Sequence, residues 1–271
     1  MAQNGTLQPI AGGVQPTKDD YDVYGSCVYR SRSTGKQYLF VNAKTAEYLQ
    51  FELTWVDDAL HTTLVRNFTG GSGGQVEGCV SDEPNGWVLI GEEPYGLWRY
   101  GAEPEDDASS GFLIDSVDGG MYADVEGVTL VEGASAEDGF ILVSQQGVSA
   151  YNVYRRAAPH AFIETFTIHE NVEKGIDAVT NTDGITAIGT SLGSSFPIGL
   201  VVVRKSCPEK SIRVVNVLIY NHPDDDANQL PTGRTSDEAS FKLVSLEDVI
   251  PEQLLRELNP DWDPRAGVAY K

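Results

Sequence analysis

Four times in this chain an oxygen-bearing side chain stands directly before a glycine, at Tyr24-Gly25, Glu77-Gly78, Glu126-Gly127 and Asp183-Gly184, with the glycines 53, 49 and 57 residues apart. After the first three, a β-branched and aromatic run ends in a second polar position: Lys44, Glu93 and Gln146. A recurrence of this kind puts ligand-type side chains at matching points of successive modules, which is how a ring of modules builds one shared site. On that reading Glu77, Glu93, Asp124 and Glu126 converge, joined by Tyr24 and Gln146. Like charges at 4 Å repel by about 4 kcal/mol at a protein-like dielectric, so carboxylates gathered this way need a cation among them. Oxygen donors without His or Cys select a hard ion, and a loose, many-ligand arrangement favours Ca²⁺ over Mg²⁺. The competing reading, acids on a solvated face, accounts for any one of these residues but not for their recurrence.

Strands must carry these positions. The runs Tyr38 to Lys44, Trp87 to Glu93, Phe140 to Gln146 and Leu200 to Lys205 are followed by alternating segments at Tyr48 to Leu53, Leu97 to Tyr100 and Ala150 to Tyr154. Further runs stand at Thr62 to Phe68, Gly111 to Asp115 and Phe162 to Ile168. Period-two alternation bounded by Gly, Asp and Asn predicts strand, and four strands per fifty or so residues is the blade period of a β-propeller. The fold class expected is all-β. The modules run over residues 21–68, 77–115 and 124–168, and a fourth opens at Asp183. Residues 207–239 break the pattern and read as an insertion. Phe241 to Val244 then closes the sheet, a short amphipathic helix follows to Leu258 with Pro251 in or near its first turn, and residues 259–271 form a tail.

Composition agrees with one long all-β unit: 271 residues, 28 Gly and only 2 Met. A formal net charge of −21, from 40 acidic and 19 basic residues, argues against nucleic acid and anionic membrane as partners and for cations. No run approaches a membrane span, and residues 1–20 lack the apolar core of a signal peptide. Cys27, Cys79 and Cys207 do not have zinc-site spacing and are expected as buried small apolar residues. The loop at residues 69–75 has the glycine content of a phosphate-cradling loop, but no Gly-Lys-Ser/Thr follows, so that reading is set aside. His61, His160, His169 and His222 belong to no nucleophile motif.

Several ordered blocks carry a resemblance. Val23 to Ser31 with Thr34-Gly35-Lys36, Val76-Glu77-Gly78, Glu92-Glu93 with Leu97-Trp98-Arg99-Tyr100, Asp124 to Thr129, Ser144 to Gly147 with Tyr151 and Tyr154, and Asn181 to Ile185 together resemble the β-propeller phytases. The resemblance implies a six-bladed, calcium-dependent ring that hydrolyses phosphomonoesters of phytate, myo-inositol hexakisphosphate. It implies that Tyr24, Glu77, Glu93, Asp124, Glu126 and Gln146 surround the calcium cluster, with Glu77, Glu93 and Glu126 as its main carboxylate ligands. Lys44 matches a phosphate-holding lysine, and Asp177 an acid that binds a further, structural calcium. The acid usually next to that lysine is Thr45 here, a departure that bears on the second phosphate subsite.

The resemblance also implies two blades before the Tyr24-Gly25 block, so about four of six are expected in this chain, the others coming from a longer chain or a partner. It implies an extracellular protein, which Asn4-Gly5-Thr6 and Asn67-Phe68-Thr69 suit as glycosylation acceptors. The alternative expectation is a propeller that binds calcium or a phosphorylated ligand without cleaving it. A scaffold of the Trp-Asp repeat type is disfavoured, because the only such pair lies in the tail at Trp262-Asp263.

Overall fold

The structure is a computed structural model, and it describes residues 9–174, 176–205 and 240–262. The expected insertion at 207–239, Cys207, His222 and the end of the tail lie outside the described residues. Three four-stranded antiparallel sheets follow one another in simple up-and-down order. The first holds β1 (Val23–Arg30), β2 (Gln37–Ala43), β3 (Glu47–Val56) and β4 (Ala59–Thr69). The second holds β5 (Val76–Asp82), β6 (Trp87–Glu92), β7 (Gly96–Gly101) and β8 (Phe112–Ser116). The third holds β9 (Val125–Glu132), β10 (Gly139–Gln145), β11 (Ala150–Arg155) and β12 (Phe162–Phe166). A three-stranded sheet completes the set, with β13 (Thr182–Ile188), β14 (Leu200–Lys205) and β15 (Ser240–Ser245).

The sheets stack face to face because their alternation gives each of them two apolar sides. Tyr29, Phe40 and Tyr48 of the first sheet meet Val88, Ile90 and Tyr100 of the second. From the other face of the second, Leu89 and Leu97 meet Leu130, Ile141 and Tyr154. Phe140, Leu142, Tyr151 and Val153 then pack on Val201, Val203 and Val244. These are successive blades of a β-propeller, and the first strand of each, β1, β5, β9 and β13, lies beside the first strand of the next.

The recurring phrase explains how the first strands come so close. A Cβ on Gly25 would stand 1.9 Å from the Glu77 carbonyl oxygen, and one on Gly78 would stand 1.9 Å from that of Glu126. At Gly127 the nearest atoms include the Asp183 carbonyl oxygen, at 2.9 Å. Each glycine thus admits the backbone of the next module's phrase. The pairing register also slips at every phrase: residues 77 and 78 oppose a single residue of β6, 126 and 127 one of β10, and 183 and 184 one of β14, while Tyr24 is the extra residue against β2. Bulges of this kind re-aim a side chain out of the sheet's alternation.

Two expectations are corrected. Cys27 and Cys79 are not separate apolar fillers but a disulfide, with Cα atoms 5.6 Å apart, that ties β1 to β5. The expected helix is realised as two 3-10 segments, Leu246–Asp248 and Glu252–Glu257. Pro251 lies between them and has no N–H to donate, so one continuous ladder cannot pass through it. The closing strand is present as β15.

A buried ion pair ties the second and third blades. Arg156, with no exposed side-chain surface, donates from Nε and Nη2 to the two carboxylate oxygens of Asp82 at 2.9 and 2.7 Å. Glu132 Oε1 lies 3.7 Å from the same Nη2.

Gly78→Val should destabilise the protein by about 3 kcal/mol or more, read as a lowered urea midpoint, because the colliding atom is a backbone carbonyl that cannot swing away. Reducing the Cys27–Cys79 bond, or replacing Cys27 by Ser, should cost about 2–4 kcal/mol in the same assay. A midpoint unmoved by reductant would show that the bond does not form.

Candidate metal centre

Two bulges and one strand end deliver three side chains to one place. Glu77 leaves β5, Glu126 leaves β9, and Glu93 follows the last residue of β6; one carboxylate oxygen from each lies within 4.8 Å of the other two. Glu93 and Glu126 are 8% and 5% exposed, and Glu77 is half-buried. Tyr24, at the bulge of β1, hydrogen-bonds Glu77 through its phenol. Asp124 stands just before β9, exposed and near enough for its charge to act on Glu93 and Glu126. Gln146 is placed beside Asp124 by a backbone bond from its N–H to the Asp124 carbonyl, 2.8 Å. Lys44, exposed at the end of β2, holds its ammonium 4.5 Å from the Tyr24 ring centroid, and its charge reaches Glu93.

Electrostatics mark the cluster as short of positive charge. Burial, then a hydrogen bond with Glu77 and the charges of Glu77, Glu93 and Asp124, push the Glu126 carboxyl up to about 9. Burial also raises Glu93, opposed by hydrogen bonds from Gln75. Tyr24 is pushed up to about 12 by burial and by Glu77, Glu93 and Glu126, so it remains a hydrogen-bond donor at neutral pH. Glu126 Oε2 is buried without a hydrogen-bond partner. An orphaned carboxylate oxygen among three acids, with only oxygen donors around it, is the donor set of a hard cation.

Asp177 is not part of this group. Burial alone would raise it, but the ammonium groups of Lys205 and Lys242 outweigh burial and hold its carboxyl below the usual carboxylate range. Lys242 Nζ lies 2.6 Å from Oδ1, Lys205 pairs with Oδ2, and both lysines are buried. Asp183, which matches Glu77 and Glu126 in the phrase, is paired with Arg204. Of the histidines, His160 is buried, accepting from Arg99 at 2.9 Å and donating from Nδ1 toward the Arg155 carbonyl, with the ring against Trp87.

Two residues were missed in the sequence. Gln75 donates from Nε2 to both carboxylate oxygens of Glu93, at 2.6 and 2.7 Å. Glu92, fully buried, accepts from the Ser72 and Gly74 amides, the Ser72 hydroxyl and the Trp98 indole. The glycine-rich loop therefore cradles an anion, but the anion is the protein's own. The adjacent acids Glu92-Glu93 after an apolar run were the available signal.

The chain is thus an all-β propeller in which three carboxylates gather where the first strands of neighbouring blades meet. The family model described as Phytase matches residues 2–218. The chain is 34% identical over 264 residues to the 3-phytase of Bacillus subtilis (strain 168), an alignment covering 94% of this chain and 62% of that protein. The chain belongs to the phytase family, in its β-propeller form. It spans under two thirds of the length of that relative.

Because the Glu126 carboxyl is raised in the folded state, the ion-free protein binds a proton there that the unfolded chain has released above about pH 4.5. This group's contribution is therefore fully present at low pH and is lost as pH rises toward about 9. With chelator present, the Tm of the native protein should fall relative to that of Glu126→Gln between pH 5 and 9. Parallel profiles would show that Glu126 does not hold that proton.

Proposed function

We propose that the protein is a calcium-dependent phosphomonoester hydrolase that releases phosphate from phytate. The observation that carries this reading is the convergence of Glu77, Glu93 and Glu126 with an orphaned oxygen on Glu126, in a chain of the phytase family. The name of the Bacillus relative supports the substrate.

Glu77, Glu93 and Glu126 would be the principal ligands of several calcium ions, with Asp124 and Gln146 at the edge. When bound, calcium supplies positive charge to phosphate oxygens and brings the pKa of a shared water toward neutrality. The chain's own residues do the rest. Tyr24 donates its phenolic proton to Glu77, its raised pKa keeps that proton in place, and the phenol so steadies a ligand carboxylate beside the reacting phosphate. Lys44, exposed beside the ring of Tyr24, holds a phosphate oxygen as a mobile point charge. Phosphate transfer to water in this setting needs no covalent enzyme intermediate. Phytate approaches a protein of net charge −21 as its calcium complex, which removes much of the repulsion.

An extracellular setting goes with this reading. A disulfide persists where the surroundings are oxidising, and no helix among the described residues is long and apolar enough to cross a membrane. Asp177 is kept as a secondary calcium position only on condition that an ion can displace its lysine partners.

Phosphate release from phytate near neutral pH should rise with added calcium and stop with chelator. Glu93→Gln should lower turnover about 100-fold or more, a loss of several kcal/mol of charge stabilisation. Calcium binding without any phosphate release would leave a non-catalytic calcium-binding or phospho-ligand-binding propeller instead.

A further inference from the structure

The loop between the first two blades is built around two adjacent glutamates with opposite fates. Val76 pairs with Glu92 in the β5–β6 ladder, so the next residues outward, Gln75 and Glu93, face one another. The Glu93 amide donates to the Gln75 carbonyl at 2.9 Å, and the Gln75 side chain returns two hydrogen bonds to the Glu93 carboxylate. The backbone bond fixes where Glu93 starts, and the side-chain pair fixes how its carboxylate is turned.

What holds Gln75 there is Glu92. Its carboxylate gathers the Ser72 and Gly74 amides, the Ser72 hydroxyl at 2.6 Å and the Trp98 indole at 2.8 Å. The Gly71 amide donates to the Tyr100 hydroxyl at 2.6 Å. The loop closes this tightly only because its glycines have no side chain: a Cβ on Gly71 would lie 2.5 Å from Glu92 Oε2, and one on Gly74 would lie 2.9 Å from Oε1. Glu92 is thus spent on the loop, and the loop presents Gln75 to Glu93.

We propose that Gln75 is a positioning residue of the cation centre, acting through Glu93, with the Glu92-bound loop as its mount. The proposal rests on the reading of Glu77, Glu93 and Glu126 as cation ligands. An amide that donates to both oxygens turns the carboxylate and leaves the remaining lone pairs for an ion. A carboxylate without that partner would be free to rotate, and ordering it would then fall to the ion itself.

Calcium alone is the probe, titrated into the chelator-stripped protein and followed by heat and by the rise in Tm. Gln75→Leu, close in volume but without the amide, should raise the calcium needed for half-saturation about tenfold. Its Tm in chelator should fall by only a few degrees, because leucine keeps the volume while the nearly buried Glu93 carboxylate loses two hydrogen bonds. Ser72→Ala, which removes one bond from the mount and leaves Gln75 intact, should raise the requirement severalfold. With phytate and saturating calcium, Gln75→Leu should recover most of its turnover. Unchanged calcium affinity in Gln75→Leu would overturn the proposal, and so would a native protein that binds no calcium. A native protein that binds calcium, with Gln75→Leu weakened, but releases no phosphate would sustain the positioning role and sink the phytase reading.

Discussion

Everything in this structure depends on how closely the first strands of neighbouring blades approach one another. The backbone of one blade sits where a side chain of the previous blade would otherwise be: a carbonyl oxygen at Gly25 and at Gly78, and the Ile185 amide nitrogen at Gly127. The residue before each glycine is lifted out of the sheet by a bulge, so it neither packs in a core nor points along the outer face. Close approach and bulge together turn a row of separate sheets into a shared rim. At two of the bulges the residue opposite reinforces the approach: Asn42 donates to the Glu77 carbonyl at 3.0 Å, and Ser144 to that of Asp183 at 2.6 Å.

That geometry creates the electrostatic problem that defines the site. Glu93 and Glu126 are brought in with little water and in reach of Glu77 and Asp124. The protein's own response is partial: a phenol on Glu77, an amide on Glu93, a proton on Glu126. None of these is a positive charge, and Lys44 remains at the edge. Elsewhere the same chain pairs Asp82 with Arg156 and Asp177 with two lysines, and surrounds the fully buried Glu92 with amide, hydroxyl and indole donors. The contrast sets the Glu77–Glu93–Glu126 group apart from the structural ion pairs.

Much of this was legible in the sequence because it rests on periodicities. Period-two runs mark strands whichever blade they join, and the fifty-residue recurrence of an acid before glycine put Glu77 and Glu126 in one place without any contact being known. Features that depend on spatial neighbours were not legible. Cys27 lies two residues after its phrase glycine and Cys79 one, so their pairing follows only once the bulges have shifted the two strands. The Glu92 cradle joins a loop to a residue eighteen to twenty positions later, and glycine content alone suggested a foreign anion. The C-terminal segment was expected as one short helix to Leu258, but the Ser245 hydroxyl caps no amide and Pro251 divides the segment.

The buried Arg156 has a consequence for how stiffness is distributed. β5 begins beside Glu77 and ends at Asp82; β9 begins beside Glu126 and ends at Glu132; and both far ends gather at the one guanidinium. Each strand is therefore a beam anchored at its foot by a counter-charge that cannot diffuse away, while its head presents one carboxylate of the Glu77–Glu93–Glu126 group. Over a strand of this length, about 20 Å, the foot keeps register while the head remains adjustable. The separation leaves the carboxylates at the mouth of the propeller apart from the ion pair that keeps its blades aligned.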